Sequence, residues 1–231
     1  MKDDQQQDTI DDHRQPARLR AVYDDIAAHF SETRAYPWPE VETFLDSVSG
    51  GAVGLDLGCG NGRHTELLDT VVKRAVGCDV SRGLLHEAMT KMTENNWEGQ
   101  LLHGNAATLP LDADTVDVGV YVATLHHLPD KETRVESLRE LSRVLSASGR
   151  ALVSAWSTAH DRFNADADAK TGFETTVDWT LPGGETVPRF YYIYTPTEFE
   201  RDLEASGLAV DDSFVSSGNC YATVRATANR Q

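Results

Sequence analysis

The stretch Val53-Gly54-Leu55-Asp56-Leu57-Gly58-Cys59-Gly60-Asn61-Gly62 constrains this chain more than any other. A short apolar run reaches Asp56 and gives way to three glycines spaced by two; helical patterning then starts at Arg63. The order predicts a strand, a tight turn and a helix N-terminus. Glycine lets the backbone turn sharply against a ligand, and the start of a helix offers unpaired N–H groups. A dinucleotide-binding turn would place a further glycine three residues after the second, but position 63 is arginine. An aspartate at the turn also repels a pyrophosphate. The loop therefore suits a ligand offering cationic and neutral polar groups.

Around this loop, strand and helix patterns alternate. Strands are expected at Ala52–Leu57, Ala75–Val80, Leu101–Leu102, Val116–Val122 and Arg150–Trp156, with helices at Arg63–Leu68, Gly83–Met92 and Lys131–Leu145. Such alternation predicts an α/β, doubly wound, mostly parallel sheet, seven-stranded once two final strands near Ala209–Val215 and Tyr221–Ala226, joined through Gly218-Asn219, are added. Two N-terminal helices precede it: Leu19, Val22, Tyr23, Ile26 and Phe30 follow helical spacing, and Pro39 suits the start of a second helix. After strand five, regularity lapses between about 157 and 188, then resumes with the aromatic run Phe190–Tyr194 and a helix capped at Thr197, with Glu200 three residues on. The expected division is a frayed tail at 1–15 and one domain at 16–231. Within it lie cap helices (16–49), a cofactor core (50–156), a substrate-side insertion (157–195) and a C-terminal helix with strands (196–231).

Two further anchors sit at strand ends. Asp79 follows Asp56 by 23 residues, near the ~20-residue spacing at which an acid reaches a ribose diol. Asn105-Ala106 follows the third strand, where a polar side chain can meet an adenine amine. Three cysteines (Cys59, Cys78, Cys220) without C-x-x-C spacing point to reduced thiols, and no metal site is expected. No apolar run approaches ~18 residues, and the acidic, polar start is unlike a signal peptide. A cytoplasmic protein without membrane association is expected.

The formal charge is −16. That argues against a generic nucleic-acid binder, which needs a basic face. The acids are 22 Asp and 15 Glu, against 16 Arg and only 5 Lys, a coat suited to the molar salt of a halophile's cytoplasm. There the Debye length is about 3 Å and self-repulsion is screened.

The glycine loop and its anchors resemble the class I S-adenosylmethionine-dependent methyltransferases, whose first motif is similar to D-x-G-C-G-x-G, over about residues 50–156. The resemblance implies a Rossmann-like fold and S-adenosylmethionine as cofactor. It implies that Asp56 and the loop of Gly58, Cys59, Gly60, Asn61 and Gly62 hold the methionine portion. Asp79 would take the ribose hydroxyls, Val80 would lie beside the adenine, and Asn105 and Ala106 would meet its edge. The run Val122-Ala123-Thr124-Leu125-His126-His127 would lie beside the sulfonium.

A narrower resemblance runs through Tyr23–Arg34, Pro37-Trp38-Pro39, His126-His127-Leu128, Arg189-Phe190-Tyr191-Tyr192 and Gly218-Asn219. These segments are similar to the tRNA wobble-uridine carboxymethyl methyltransferases, which esterify a carboxymethyl group on uridine 34. The match is poorest at Trp156-Ser157-Thr158-Ala159, Val177-Asp178-Trp179 and Asn219-Cys220. It implies Arg34, His126 and His127 as catalytic candidates, Arg189 and Tyr191 as substrate-binding ones, and a small zinc-ribbon-like activator protein as partner. Arg34 is equally suited to the cofactor's own carboxylate. His126-His127 is also readable as a packed loop, and Tyr191, Tyr192 and Tyr194 as a strand without substrate contact. A methyltransferase acting on a small quinone, amine or hydroxy acid is the main rival reading, and a cofactor-binding scaffold without turnover is the third.

Overall fold

The computed structural model describes residues 16–163 and 169–227. The tail expected at 1–15 lies outside the described residues. The elements run α1 (Pro16–Thr33), α2 (Pro39–Ser47), β1 (Gly51–Leu57), α3 (Arg63–Asp69), β2 (Val72–Asp79), α4 (Arg82–Asn95), β3 (Gly99–His103), β4 (Val116–Tyr121), α5 (Lys131–Val144) and β5 (Leu145–Trp156). They continue through β6 (Phe173–Thr180), β7 (Thr186–Ile193), α6 (Pro196–Ala205), β8 (Leu208–Ser216) and β9 (Asn219–Ala226).

Seven strands form one sheet in the order β3-β2-β1-β4-β5-β9-β8. The first five are parallel, and β9 runs antiparallel to β5 and to β8. This is the predicted α/β doubly wound sheet with N-terminal helices and an insertion after strand five. Both faces are covered. Phe44 and Leu45 of α2 and Leu68 of α3 pack with Val118, Val120 and Leu152 on one face, while Leu138 and Leu141 of α5 pack with Leu55, Tyr121 and Val153 on the other. The strand order reverses between β1 and β4, and the carboxyl ends on either side open a crevice, where ligands bind in open α/β sheets.

Three local expectations need correction. The segment expected to be irregular contains β6, paired antiparallel with β7 from Phe173↔Ile193 to Thr180↔Thr186. The polar Glu, Thr and Asp positions of β6 hide its alternation, because that strand buries only Val177 and Trp179. The α6 cap is Thr195, whose hydroxyl accepts the Glu198 N–H, with Pro196 as first helical residue; Thr197 is inside the helix. Asn219 begins β9, and the turn before it is Ser217-Gly218, both with positive φ, as a tight two-residue hairpin requires.

Strand alternation divides the aromatic run. Phe190, Tyr192 and Tyr194 enter the main core, whereas Tyr191 and Ile193 join Val177 on the opposite face. Arg134 of α5 lies over the Tyr192 ring at 3.7 Å and donates to the Tyr194 hydroxyl, so the hairpin is bolted to the sheet from beneath.

Candidate active site

The glycine loop leaves β1 and is pinned to β2. The Gly58 and Cys59 N–H groups both donate to the Cys78 carbonyl, at 2.7 and 3.1 Å. Gly58, Gly60 and Gly62 all have positive φ. At Gly58 a Cβ would also collide with the Thr124 side chain, so the loop after β4 closes onto glycine backbone. Ala123, in that same loop, holds a left-handed φ of 56°, with its N–H on the Ser154 hydroxyl. Such strain in a non-glycine residue clusters at ligand sites.

Asp79, at the end of β2, accepts the Gly60 N–H on Oδ2 and the Ser81 N–H on Oδ1, both at 2.8 Å. Burial raises its carboxyl above the ordinary range despite those donors. Asp56 is fully buried and accepts the Thr65 hydroxyl at 2.6 Å. Burial pushes its carboxyl up to about 7.

A cavity of about 590 Å³ runs from this loop to β7. Of the sequence candidates, Gly58, Gly60, Asp79, Val80, Asn105, Ala106 and Ala123 line its cofactor half. Arg34, His126, His127, Arg189 and Tyr191 line the other half. Asp56, Cys59, Asn61, Gly62 and Val122 are absent from the wall. Asp56 braces α3 through Thr65. The Asn61 amide donates to the Arg34 carbonyl at 2.9 Å and to Ser31, tying the loop to the end of α1. Asn105 Oδ1 accepts the Ala107 N–H, closing a local turn.

The two histidines differ. Nδ1 of His127 meets the Phe190 carbonyl at 3.0 Å, which requires Nδ1 to carry the proton. Its Nε2 then accepts the Tyr23 hydroxyl at 2.7 Å. Nδ1 of His126 accepts the Trp156 N–H at 2.9 Å, which leaves its proton on Nε2. Burial holds His127 down to about 3 and His126 well below the ordinary histidine value, so both rings are neutral at physiological pH. His127 is thus a brace for Tyr23, while His126 presents a neutral donor.

Arg189 is 9% exposed, and its Nε has no hydrogen-bond partner among the described residues. Its guanidinium lies over the rings of Trp179 (4.8 Å) and Tyr191 (5.2 Å), and Nη1 donates to the Tyr23 hydroxyl at 3.5 Å. Arg34 and Arg63 also line the cavity, and Arg63 covers Trp38 at 5.4 Å. Among the described residues of the wall, the acids set against these three guanidiniums are Glu40 and Asp79. In a chain of charge −16 this is a local cationic site.

Tyr23 and Arg63 line the cavity and Trp179 packs against Arg34 and Arg189, places the sequence did not assign to them. Tyr23 hid as one of the apolar positions on the α1 stripe, and Arg63 as the residue that spoiled a glycine fingerprint. The signal for Trp179 was its place opposite the Arg189-Phe190-Tyr191 strand, legible only once the hairpin register is known.

The donor set fits S-adenosylmethionine. A carboxylate at the end of β2 suits a diol, the glycine backbone admits close approach, and guanidiniums suit a carboxylate. A family described as a methyltransferase domain matches residues 55–153. The tRNA (carboxymethyluridine(34)-5-O)-methyltransferase of Schizosaccharomyces pombe is 35% identical over 208 residues, covering 82% of this chain and 87% of that protein. Longer relatives of the same name, from mouse, Arabidopsis thaliana and Saccharomyces cerevisiae, are spanned over only 21%, 33% and 59% of their length. Among solved structures, an S-adenosylmethionine-dependent methyltransferase from Clostridium acetobutylicum superposes with a TM-score of 0.67 at 16% identity, covering 89% of this chain and 99% of that one. A chain in the complex between the Haloferax volcanii Trm112 methyltransferase activator and a putative methyltransferase superposes with a TM-score of 0.65 at 17% identity, covering 92% and 99%.

Proposed function

Because this chain belongs to the tRNA (carboxymethyluridine(34)-5-O)-methyltransferase family, we propose that it uses S-adenosylmethionine to methylate a carboxylate, the carboxymethyl group of a wobble uridine in tRNA. The observation that carries this reading is Arg189, a buried guanidinium with an unpartnered Nε in the same cavity as Asp79 and the glycine loop. A buried donor without a partner is costly, and a carboxylate supplies the planar, two-oxygen acceptor that a guanidinium matches.

When bound, S-adenosylmethionine supplies an electrophilic methyl group on a sulfonium. Asp79 suits its ribose, the Gly58–Gly62 backbone its amino-acid portion, and Arg63, the residue after the loop, its carboxylate. On the other side Arg189 orients the acceptor carboxylate, with Tyr191 packed against it and His126 offering a neutral N–H. An acceptor carboxylate is ionised at pH 7 and needs no general base, and the lone-pair nitrogens of His126 and His127 are already taken by the Trp156 N–H and the Tyr23 hydroxyl. The protein's contribution is alignment, which can supply ~7–11 kcal/mol of the barrier.

The family reading carries two more expectations. A small activator protein would pair with one of the open edges of the sheet, β3 or β8, by strand addition. A salt-rich cytoplasm would account for the charge. No described helix is long and apolar enough to cross a membrane. Titrating S-adenosylmethionine calorimetrically into wild type and Asp79→Ala tests the cofactor half: affinity should be lost in the variant, and equal affinities contradict the assignment. Co-expression with the activator should raise solubility and cofactor affinity, and no change in either removes the partner.

A further inference from the structure

Behind the acceptor side of the cavity stands Trp179, buried and fixed by one polar contact, from its Nε1–H to His29 Nδ1 at 3.1 Å. The indole carries two guanidiniums: Arg189 at 4.8 Å and Arg34 at 5.2 Å from its centroid. The two charges therefore lie within the sum of those distances of each other, close enough to meet one nucleotide. They differ in access. Arg189 is buried on β7, whereas Arg34 is exposed at the end of α1, at the cavity mouth. Arg34 donates from Nη1 to the Thr33 carbonyl at 3.0 Å, which uses one of the fork's five donors.

Two like charges on one ring are not a packing device, because each repels the other. They are consistent with a ligand carrying two anions. Building on the carboxylate reading above, we propose that Arg34 and Arg189 form a two-anion clamp organised by Trp179, in which Arg189 takes the acceptor carboxylate and Arg34 a backbone phosphate flanking the same nucleotide. The cofactor's carboxylate does not compete for Arg34, since Arg63 lies beside the glycine loop. In a strongly acidic protein, long-range attraction cannot hold a polyanion, so affinity rests on short-range sites of this kind.

The test uses the full chain, with any co-purifying partner retained, and an anticodon stem-loop RNA bearing 5-carboxymethyluridine at position 34. In matched RNAs one flanking phosphate, 5′ or 3′, is replaced by an uncharged methylphosphonate. For wild type, one replacement should raise KM about tenfold, the scale of one charge-assisted contact. In Arg34→Gln the same replacement should have no further effect, because the partner is already gone. Arg34→Lys should restore part of the discrimination, and Trp179→Ala should abolish it while Trp179→Phe keeps it. Equal KM for all RNAs with wild type overturns the clamp and leaves the carboxylate reading standing. A full replacement penalty in Arg34→Gln also overturns it. Failure of wild type to esterify even the all-phosphate RNA removes the carboxylate reading itself, and the clamp with it.

Discussion

In the proposed mechanism Arg189 orients the acceptor, and its surroundings make the consequences of changing it specific. Replacing it by glutamine removes the fork that orients the acceptor, and kcat/KM should fall about 10²-fold, equivalent to about 2.7 kcal/mol of transition-state stabilisation. Lysine, a point charge without the fork, should rescue little. Steady-state kinetics with saturating S-adenosylmethionine would measure both. Gly58→Ala meets two obstacles, a φ of 73° and the Thr124 side chain. It should cost at least about 1–2 kcal/mol in denaturant unfolding. Asp56, pushed up to about 7, makes a pH prediction. Between about 3.9, where an unfolded aspartate titrates, and about 7, the folded protein holds a proton that the unfolded chain has shed. Stability from this group is therefore full below about 3.9 and lost as pH rises to about 7. Asp56→Asn should flatten that decline in cofactor-free protein, and parallel curves for the two proteins would contradict it. The motif made Asp56 and Asp79 legible from sequence. The difference between them was not, because only the fold sets one beneath the loop and the other on its wall.

At the scale of elements, α1 is the part that joins the two halves of the site. Asp24 accepts the Ser81 hydroxyl at 2.6 Å and the Gly83 N–H at 2.9 Å, tying α1 to the β2 end. Asn61 ties its last turn to the glycine loop, Tyr23 ties it to His127, and His29 ties it to Trp179 of the β6–β7 hairpin. The helix thus spans cofactor and acceptor sides at once. Tyr23→Phe leaves His127 Nε2 without its donor and should cost about 1–2 kcal/mol. It should also weaken acceptor binding more than cofactor binding, a split that separate titrations of the two ligands would reveal. The apolar stripe of α1 was plain in sequence because its period is local. The polar staples were not, since they join residues from 27 to 150 positions apart, such as Arg34 with Asn61 and His29 with Trp179. The β6 strand was hidden for a related reason: its partner, and hence its buried face, is defined only by pairing with β7.

At the scale of the whole molecule, the charge of −16 and the cationic cavity have to be read together. The surface is acidic, while Arg34, Arg63 and Arg189 converge on one opening. Screening the surface should stabilise the protein, so the melting temperature should climb as KCl is raised from about 0.1 M to beyond 1 M, where the Debye length falls to about 3 Å. A melting temperature independent of salt contradicts the halophilic reading. The alternating strands made the doubly wound, mostly parallel sheet readable in advance, and the glycine loop the place of its cofactor crevice. The other half joins Arg34 after α1, His126 and His127 after β4, and Arg189 and Tyr191 of β7, which meet only in three dimensions. The central proposal is that this acceptor half presents a nucleic-acid carboxylate for methylation. Its most direct test is nucleoside mass spectrometry of tRNA from the source organism lacking this gene, restored with wild type or with Arg189→Gln. Unesterified 5-carboxymethyluridine should accumulate at position 34 in the deletion, return to its methyl ester with wild type and persist with the variant. An unchanged wobble-uridine profile in the deletion would contradict the account.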